Sequence, residues 1–270
     1  MVKSQGDRGR STSGKRRAVP ARRSNSRFYA SLVIIAIIGI AAIAWMASRR
    51  STQAAVTVAN LTPGPAAPHV LGDTNAPVKV MEFADFECPA CAMFATVTEP
   101  DVRKYLVNTD TVVMRYYDYP LEMHKNTWGA SNAAACAAEQ GKFWPMHDML
   151  FQGQDQWNGE VTGRPKGIFE QYAKQLGLNM DQWNSCYDSR KYQAQIQANH
   201  AEGDRMMVQQ TPTFVIGDRL VAGALGYDEF KAYVDSALAK QQKRAATAGS
   251  AAKAPATPAA GKTPATKSGR

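Results

Sequence analysis

Cysteine is scarce in this chain. Four cysteines in 270 residues exclude a miniature domain held together by a disulfide framework. Histidine is equally scarce: His69, His124, His147 and His200 show neither metal-ligand spacing nor a nucleophile partnership, so each is expected to be structural or exposed. Acidic residues are almost missing from the two ends. Residues 1–50 carry a net charge of +10 and residues 241–270 a net charge of +6, so a chain whose total is +9 keeps −7 in its middle. A folded segment of that sign lacks the footprint of a nucleic-acid binder, and DNA or RNA binding is excluded as its function. Internal repeats are absent too.

Charge is also missing from residues 28–48, which include Leu32-Val33-Ile34-Ile35-Ala36-Ile37-Ile38-Gly39-Ile40. As a helix this stretch would cover about 30 Å, the thickness of a hydrocarbon core. Tyr29 and Trp45 near its ends suit the membrane interface. Ala42-Ile43-Ala44 resembles a cleavage site, but the run is long for a cleaved signal, so an uncleaved anchor is expected. Nine basic residues precede it against one acid, Asp7, and only Arg49 and Arg50 follow directly. That asymmetry predicts a cytoplasmic N-terminus, with everything after Arg50 outside.

What the chain does have is Cys88-Pro89-Ala90-Cys91, directly after the apolar run Val78–Phe83. Two thiols three residues apart can exchange one disulfide reversibly. If a strand ends near Phe83 and a helix opens at Cys88, unpaired backbone N–H groups favour the Cys88 thiolate. Cys91 then sits one turn further in, shielded, as the resolving thiol. Pro89 suits a first turn that needs no N–H. Zinc is disfavoured because Cys136 and Cys186 are isolated rather than a second knuckle, and attached haem because Ala92 stands where His is required. No metal and no cofactor are expected.

Around this motif, Thr111–Tyr117 reads as a second strand and Cys88 to about Leu106 as a helix bent at Pro100. Helical stretches follow at Ala130–Gln140, Trp144–Phe151, Ile168–Leu176 and, with interruptions, Met180 to about Met206, with Gly141 and Gly177 as stops. Thr213–Ile216 and Arg219–Ala222 read as a hairpin, and Tyr227 to about Ala239 as a closing helix. The organisation is a basic cytoplasmic tail (1–27), an anchor (28–48), a linker (49–72), an α/β domain (73–240, helical insertion about 121–207) and a disordered tail rich in Ala, Pro, Thr and Lys (241–270). Phe143, Trp144 and Phe151 read as core. The polar stretch Gln152–Lys166 reads as a connector.

Three segments, Phe83-Ala84-Asp85-Phe86-Glu87-Cys88-Pro89-Ala90-Cys91, Gly141-Lys142-Phe143-Trp144 and Gln210-Thr211-Pro212-Thr213-Phe214-Val215-Ile216-Gly217, together resemble the DsbA-like thiol-disulfide oxidoreductases. The likeness covers about residues 70 to 240 and implies a thioredoxin-like fold with a helical insertion. It implies a cis proline at Pro212 facing the dithiol, with the backbone at Thr211 free to pair with a bound peptide. It also sets an acid at Glu82, six residues before Cys88; alternation places Glu82 with Val78 and Val80, where burial would raise its pKa and let it relay protons to Cys91. Asp85 and Glu87 are expected to be surface charges whose field restrains the acidity of Cys88. Cys136 and Cys186 are expected to form a structural disulfide, as some DsbA-like proteins carry, the alternatives being two buried thiols or a second redox pair.

The expected function is a membrane-anchored, extracytoplasmic dithiol oxidase acting on exported cysteine-containing proteins. The resemblance implies reoxidation by a membrane quinone-linked partner. The rivals are a reductase or isomerase of the same fold, and a noncatalytic envelope-anchored peptide-binding module, against which the intact cysteine pair argues.

Overall fold

A computed structural model describes Ala30 and residues 33–41, 56–57 and 66–252, with side chains described to residue 247. The chain falls into two units, 1–52 and 53–270. In the first, residues 33–41 are helical and exposed. Among the described residues no helix is long and apolar enough to cross a membrane. The rest of the stretch 28–48, and the basic segment before it, lie outside the described residues.

The second unit is built on a mixed sheet. Its strands are β1 (Val56–Thr57), β2 (His69–Leu71), β3 (Val78–Ala84), β4 (Val112–Asp118), β5 (Thr213–Ile216) and β6 (Arg219–Ala222), in the order β1-β6-β5-β3-β4-β2. Only β3 and β4 are parallel; every other pairing is antiparallel. β1 and β2 fall in the stretch read as linker, where too few consecutive β-formers stand to announce a strand. Each is short and pairs on one side, as edge strands do.

A first helix, α1, covers 89–107 and crosses from β3 to β4. It alternates α-helical Pro89–Met93 and Glu99–Val102 with π-helical Phe94–Thr98 and Arg103–Val107. Proline at 100 offers no N–H and its ring crowds the carbonyl four residues back, so the preceding turn widens and the Glu99 N–H reaches Phe94 O. The expected bend at Pro100 is thus taken up as wide turns on both sides of one α-helical turn.

The insertion holds α2 (Thr127–Ala138), α3 (Phe143–Gln152), α4 (Gln154–Trp157), α5 (Lys166–Gln175), α6 (Met180–Asp188) and α7 (Gln193–Arg205). Gly141 and Gly177, both at φ +70, turn the chain out of α2 and α5 in the left-handed conformation that costs glycine least. The stretch Gln152–Lys166 is no plain connector: α4 lies in it, and the Trp157 indole is wholly buried with its N–H on Leu150 O at 2.9 Å. The last helix, α8 (Tyr227–Ala252), runs well past residue 241, where the tail was expected to begin. Alanine and lysine, read from composition as a solvated tail, are also good helix formers and extend a helix already nucleated.

Alternation along the strands divides the core. Val78, Val80, Met114, Phe214 and Ile216 pack with Phe94 of α1 and Phe230 of α8 on one face, while Phe83, Tyr117 and Val215 pack with Met206 and Val208 on the other. A third cluster fills the insertion and reaches Cys91, with Trp157, Trp183 and Tyr116 as its largest fully buried members. Inside it, Cys136 of α2 and Cys186 of α6 are joined by a disulfide across a sequence separation of 50. In the loop-entropy account a closure of that length is worth about 4 kcal/mol. The double variant Cys136→Ala/Cys186→Ala is therefore expected to lose about that much stability in urea unfolding, with the state of Cys88 and Cys91 held the same in both proteins. A loss below about 1 kcal/mol would mean that packing alone secures the insertion.

Candidate functional site

β3 delivers the site. Its end at Ala84 is followed by a turn in which the Cys88 N–H bonds to Asp85 O at 3.1 Å, and Cys88 becomes the N-cap of α1 with φ −76 and ψ 122. Pro89 occupies the first helical position, so the missing N–H leaves nothing unpaired. Cys91 follows one turn inside and is fully buried, whereas Cys88 keeps 8% of its surface exposed. Both are free thiols. From the far side comes the segment leading into β5: the Thr211–Pro212 bond is cis, and Cys88 Sγ lies 3.4 Å from Thr211 O.

The two thiols differ sharply in acidity. The Cys88 pKa falls from the ordinary 9.0 to about 6, chiefly through the hydrogen bond that Cys91 donates to its sulfur, with Thr211 and the backbone N–H groups of Cys91 and Ala90 adding to this against the opposing effect of burial. Burial pushes the Cys91 thiol well above its usual value, and its bond to Cys88 pushes in the same direction. Helix-entrance amides thus contribute to Cys88 as the sequence suggests, but its neighbour contributes more.

Asp85 and Glu87 are not surface charges. Both are buried, and both act as ties. Asp85 Oδ1 accepts the Glu87 N–H at 2.7 Å, while Oδ2 takes the Leu121 N–H and the His124 imidazole, each at 2.7 Å. Glu87 Oε2 accepts the Asn126 N–H at 2.7 Å and Oε1 the Gly159 N–H at 2.5 Å. Gln154 of α4 donates to Phe86 O at 2.8 Å and Cys88 O at 3.1 Å. These bonds pin the turn carrying Cys88 to the β4–α2 loop and to the insertion. Their burial leaves little trace in the sequence, because carboxylates are rarely buried unless paired, and partners 36 to 72 residues away form no local pattern. Gln154 carried no signal at all. The raised His124 pKa, caused first by its bond to Asp85, shows the pair's strength.

Glu82 does lie inside, beside Val80 in β3, with 1% of its surface exposed. Its pKa is raised well above the usual carboxylate value, first by burial and then by the nearby Glu99. Among the described residues no group of three or more His, Cys, Asp or Glu is placed to hold a metal ion.

The family profile described as Thioredoxin matches residues 66–236, and the chain belongs to the thioredoxin family. Its relatives and structural neighbours include proteins named for disulfide bond formation and for DsbA. It is 27% identical to the disulfide bond formation protein D of Bacillus subtilis over 177 residues, covering 63% of this chain and 76% of that one. The oxidised crystal structure of BdbD from Bacillus subtilis superposes with a TM-score of 0.59 at 24% identity, over 68% of this chain and 98% of that one, a likeness of fold. A Na(+)/H(+) antiporter NhaA 3 of Salinispora tropica is 36% identical over 65% of this chain, which spans only 26% of that protein's length.

If the Cys91 bond is the main cause, Cys91→Ala should raise the Cys88 midpoint from about 6 towards 9.0 and Cys91→Ser, which keeps a donor, should raise it less. Thiolate absorbance of the reduced protein against pH reads this directly, and equal midpoints in both variants would remove the bond from the account. The sign for stability follows. Because folding depresses this pKa, the stabilisation that the thiolate gives the reduced form is complete above pH 9.0 and is lost as the pH falls through about 6. The urea midpoint of the reduced protein, relative to Cys88→Ala, should shrink over that window.

Proposed function

We propose that this chain is a membrane-anchored dithiol oxidase working outside the cytoplasm. The observation that carries the reading is the split acidity of two adjacent thiols, Cys88 low and Cys91 high, in a family of thiol-disulfide exchangers. A thiol with a pKa of about 6 is mostly thiolate at neutral pH, which makes it a good leaving group and favours the reduced enzyme. Favouring the reduced form makes the oxidised form the stronger oxidant.

In the proposed cycle a client thiolate attacks Cys88 Sγ of the Cys88–Cys91 disulfide, and Cys91 leaves. The client's second thiolate then displaces Cys88 and carries away the new disulfide. Thr211 and Pro212, held against Cys88, offer the backbone edge along which the client peptide lies. Glu82 supplies a proton to Cys91 from within the core. The clients are exported cysteine-containing proteins, and a quinone-linked membrane protein reoxidises Cys88 and Cys91. Residues 28–48 hold the chain in the membrane, with the N-terminus in the cytoplasm.

Cys91→Ser should accumulate mixed disulfides through Cys88, visible as reducible adducts on nonreducing gels, whereas Cys88→Ser should neither trap clients nor oxidise a dithiol peptide. Equal trapping by both variants overturns the assignment of roles. A midpoint potential as low as thioredoxin's, about −270 mV, reverses the direction to reductase. For the location, protease added to spheroplasts should digest the domain; protection would place it inside.

A further inference from the structure

The π-turns of α1 bracket one α-helical turn, Glu99–Val102, and that turn brings charge into the core. Glu99 is wholly buried. Its Oε1 accepts the Arg103 Nε–H at 2.9 Å, but its Oε2 has no hydrogen-bond partner and stands 3.8 Å from His147 Nε2, which has none either. Across the buried imidazole, Nδ1 lies 2.9 Å from Asp148 Oδ1. Asp148 meets solvent, with 35% of its side chain exposed, and is clasped by both terminal nitrogens of Arg103 at 2.8 and 2.7 Å.

At the inner end stands Glu82, whose two carboxyl oxygens are buried without a hydrogen-bond partner. Glu82 feels the charges of Glu99 and Arg103, and the buried Tyr116 phenol paired across from it on β4 feels both Glu82 and Cys91. A buried carboxyl with no donor favours its protonated form, and the neighbouring charge of Glu99 pushes Glu82 the same way. Titratable side chains therefore follow one another from below Cys91 to the protein surface. The Glu99 Oε2–His147 Nε2 separation of 3.8 Å exceeds a hydrogen bond by about 1 Å, a gap that a transfer along this line has to close.

We propose that Glu99 and His147 carry protons between Glu82 and the solvent at Asp148, so that Cys91 is protonated from inside the fold as it leaves the disulfide. This rests on the exchange reading given above. As the client thiolate bonds to Cys88 Sγ, the Cys88–Cys91 bond breaks and its electron pair goes to Cys91, which takes the Glu82 proton. Glu82 regains a proton from His147 through Glu99, and His147 regains one from water at Asp148. The client's second thiolate then releases Cys88 as thiolate. Two electrons have passed from client to enzyme, and of the two protons shed by the client thiols the solvent keeps one, returning the other along this line. The groups facing it are Cys91 and Arg103 of α1, Tyr116 and Asp118 of β4, Asp148 of α3 and His69 of β2. His69 stays uncharged at neutral pH, held down to about 4 by burial and by His147.

Glu99→Gln and His147→Gln test the line. The disulfide-opening step with a dithiol peptide is followed by stopped flow across pH, in ordinary and heavy water. Each variant should slow that step by roughly tenfold and enlarge its solvent isotope effect, while Cys88 keeps the wild-type midpoint. Glu99→Gln should also lower the Glu82 midpoint in carboxyl NMR, since a repelling neighbour is gone. Should Glu99→Gln fail to fold, His147→Gln carries the kinetic test alone. Wild-type rates and isotope effects in a folded variant overturn the relay. A wild-type protein that does not oxidise the peptide overturns the exchange reading instead, and an unmoved Glu82 midpoint overturns the coupling independently of activity.

Discussion

The central strand β3 is the constraint on which the rest depends. It alone pairs with β4 in parallel and with β5 antiparallel, so its position decides where both neighbours run. Its end hands the chain to Cys88 at the head of α1, and its pairing with β5 brings Pro212 to the same end of the sheet, because Phe83 faces Thr213. The period of two then puts Glu82 on the inner face beneath that end. Two sulfurs and a backbone edge meet, with a buried acid on the same strand, because one strand and its partner carry them.

Buried charge in this protein comes in two kinds. Asp85 and Glu87 are saturated with donors, from loops as well as side chains, and work as mechanical ties between the sheet and the insertion. Glu82 has no donor, and one oxygen of Glu99 has none. Burial without a donor raises the Glu82 pKa well above the usual carboxylate value. Acids of similar burial thus divide into those bonded on both oxygens and those left with an oxygen unbonded.

Whatever depended on local pattern was legible in the sequence. The hairpin Thr213–Ile216 and Arg219–Ala222 has the bounds that alternation and the Gly217-Asp218 turn imply, and the strand before Cys88 gains a single residue, Ala84. The helix through Pro100 was visible, but its π-turns were not, since they answer to a local clash that several backbones can relieve. The buried state of Asp85 and Glu87 was misread as exposure, because their partners arrive from loops far along the chain. The short strands β1 and β2 were invisible for a related reason: an edge strand of two or three residues is called into being by the neighbour it pairs with.

The disulfide between Cys136 and Cys186 also says something about how each copy comes to exist. A freshly synthesised chain holds these sulfurs as separate thiols, and joining them removes two electrons and two protons. Maturation is thus itself an oxidation, and the yield of intact protein follows the redox poise of the compartment in which the chain arrives as well as its sequence. A copy retained among reduced thiols would lack the covalent bond between α2 and α6.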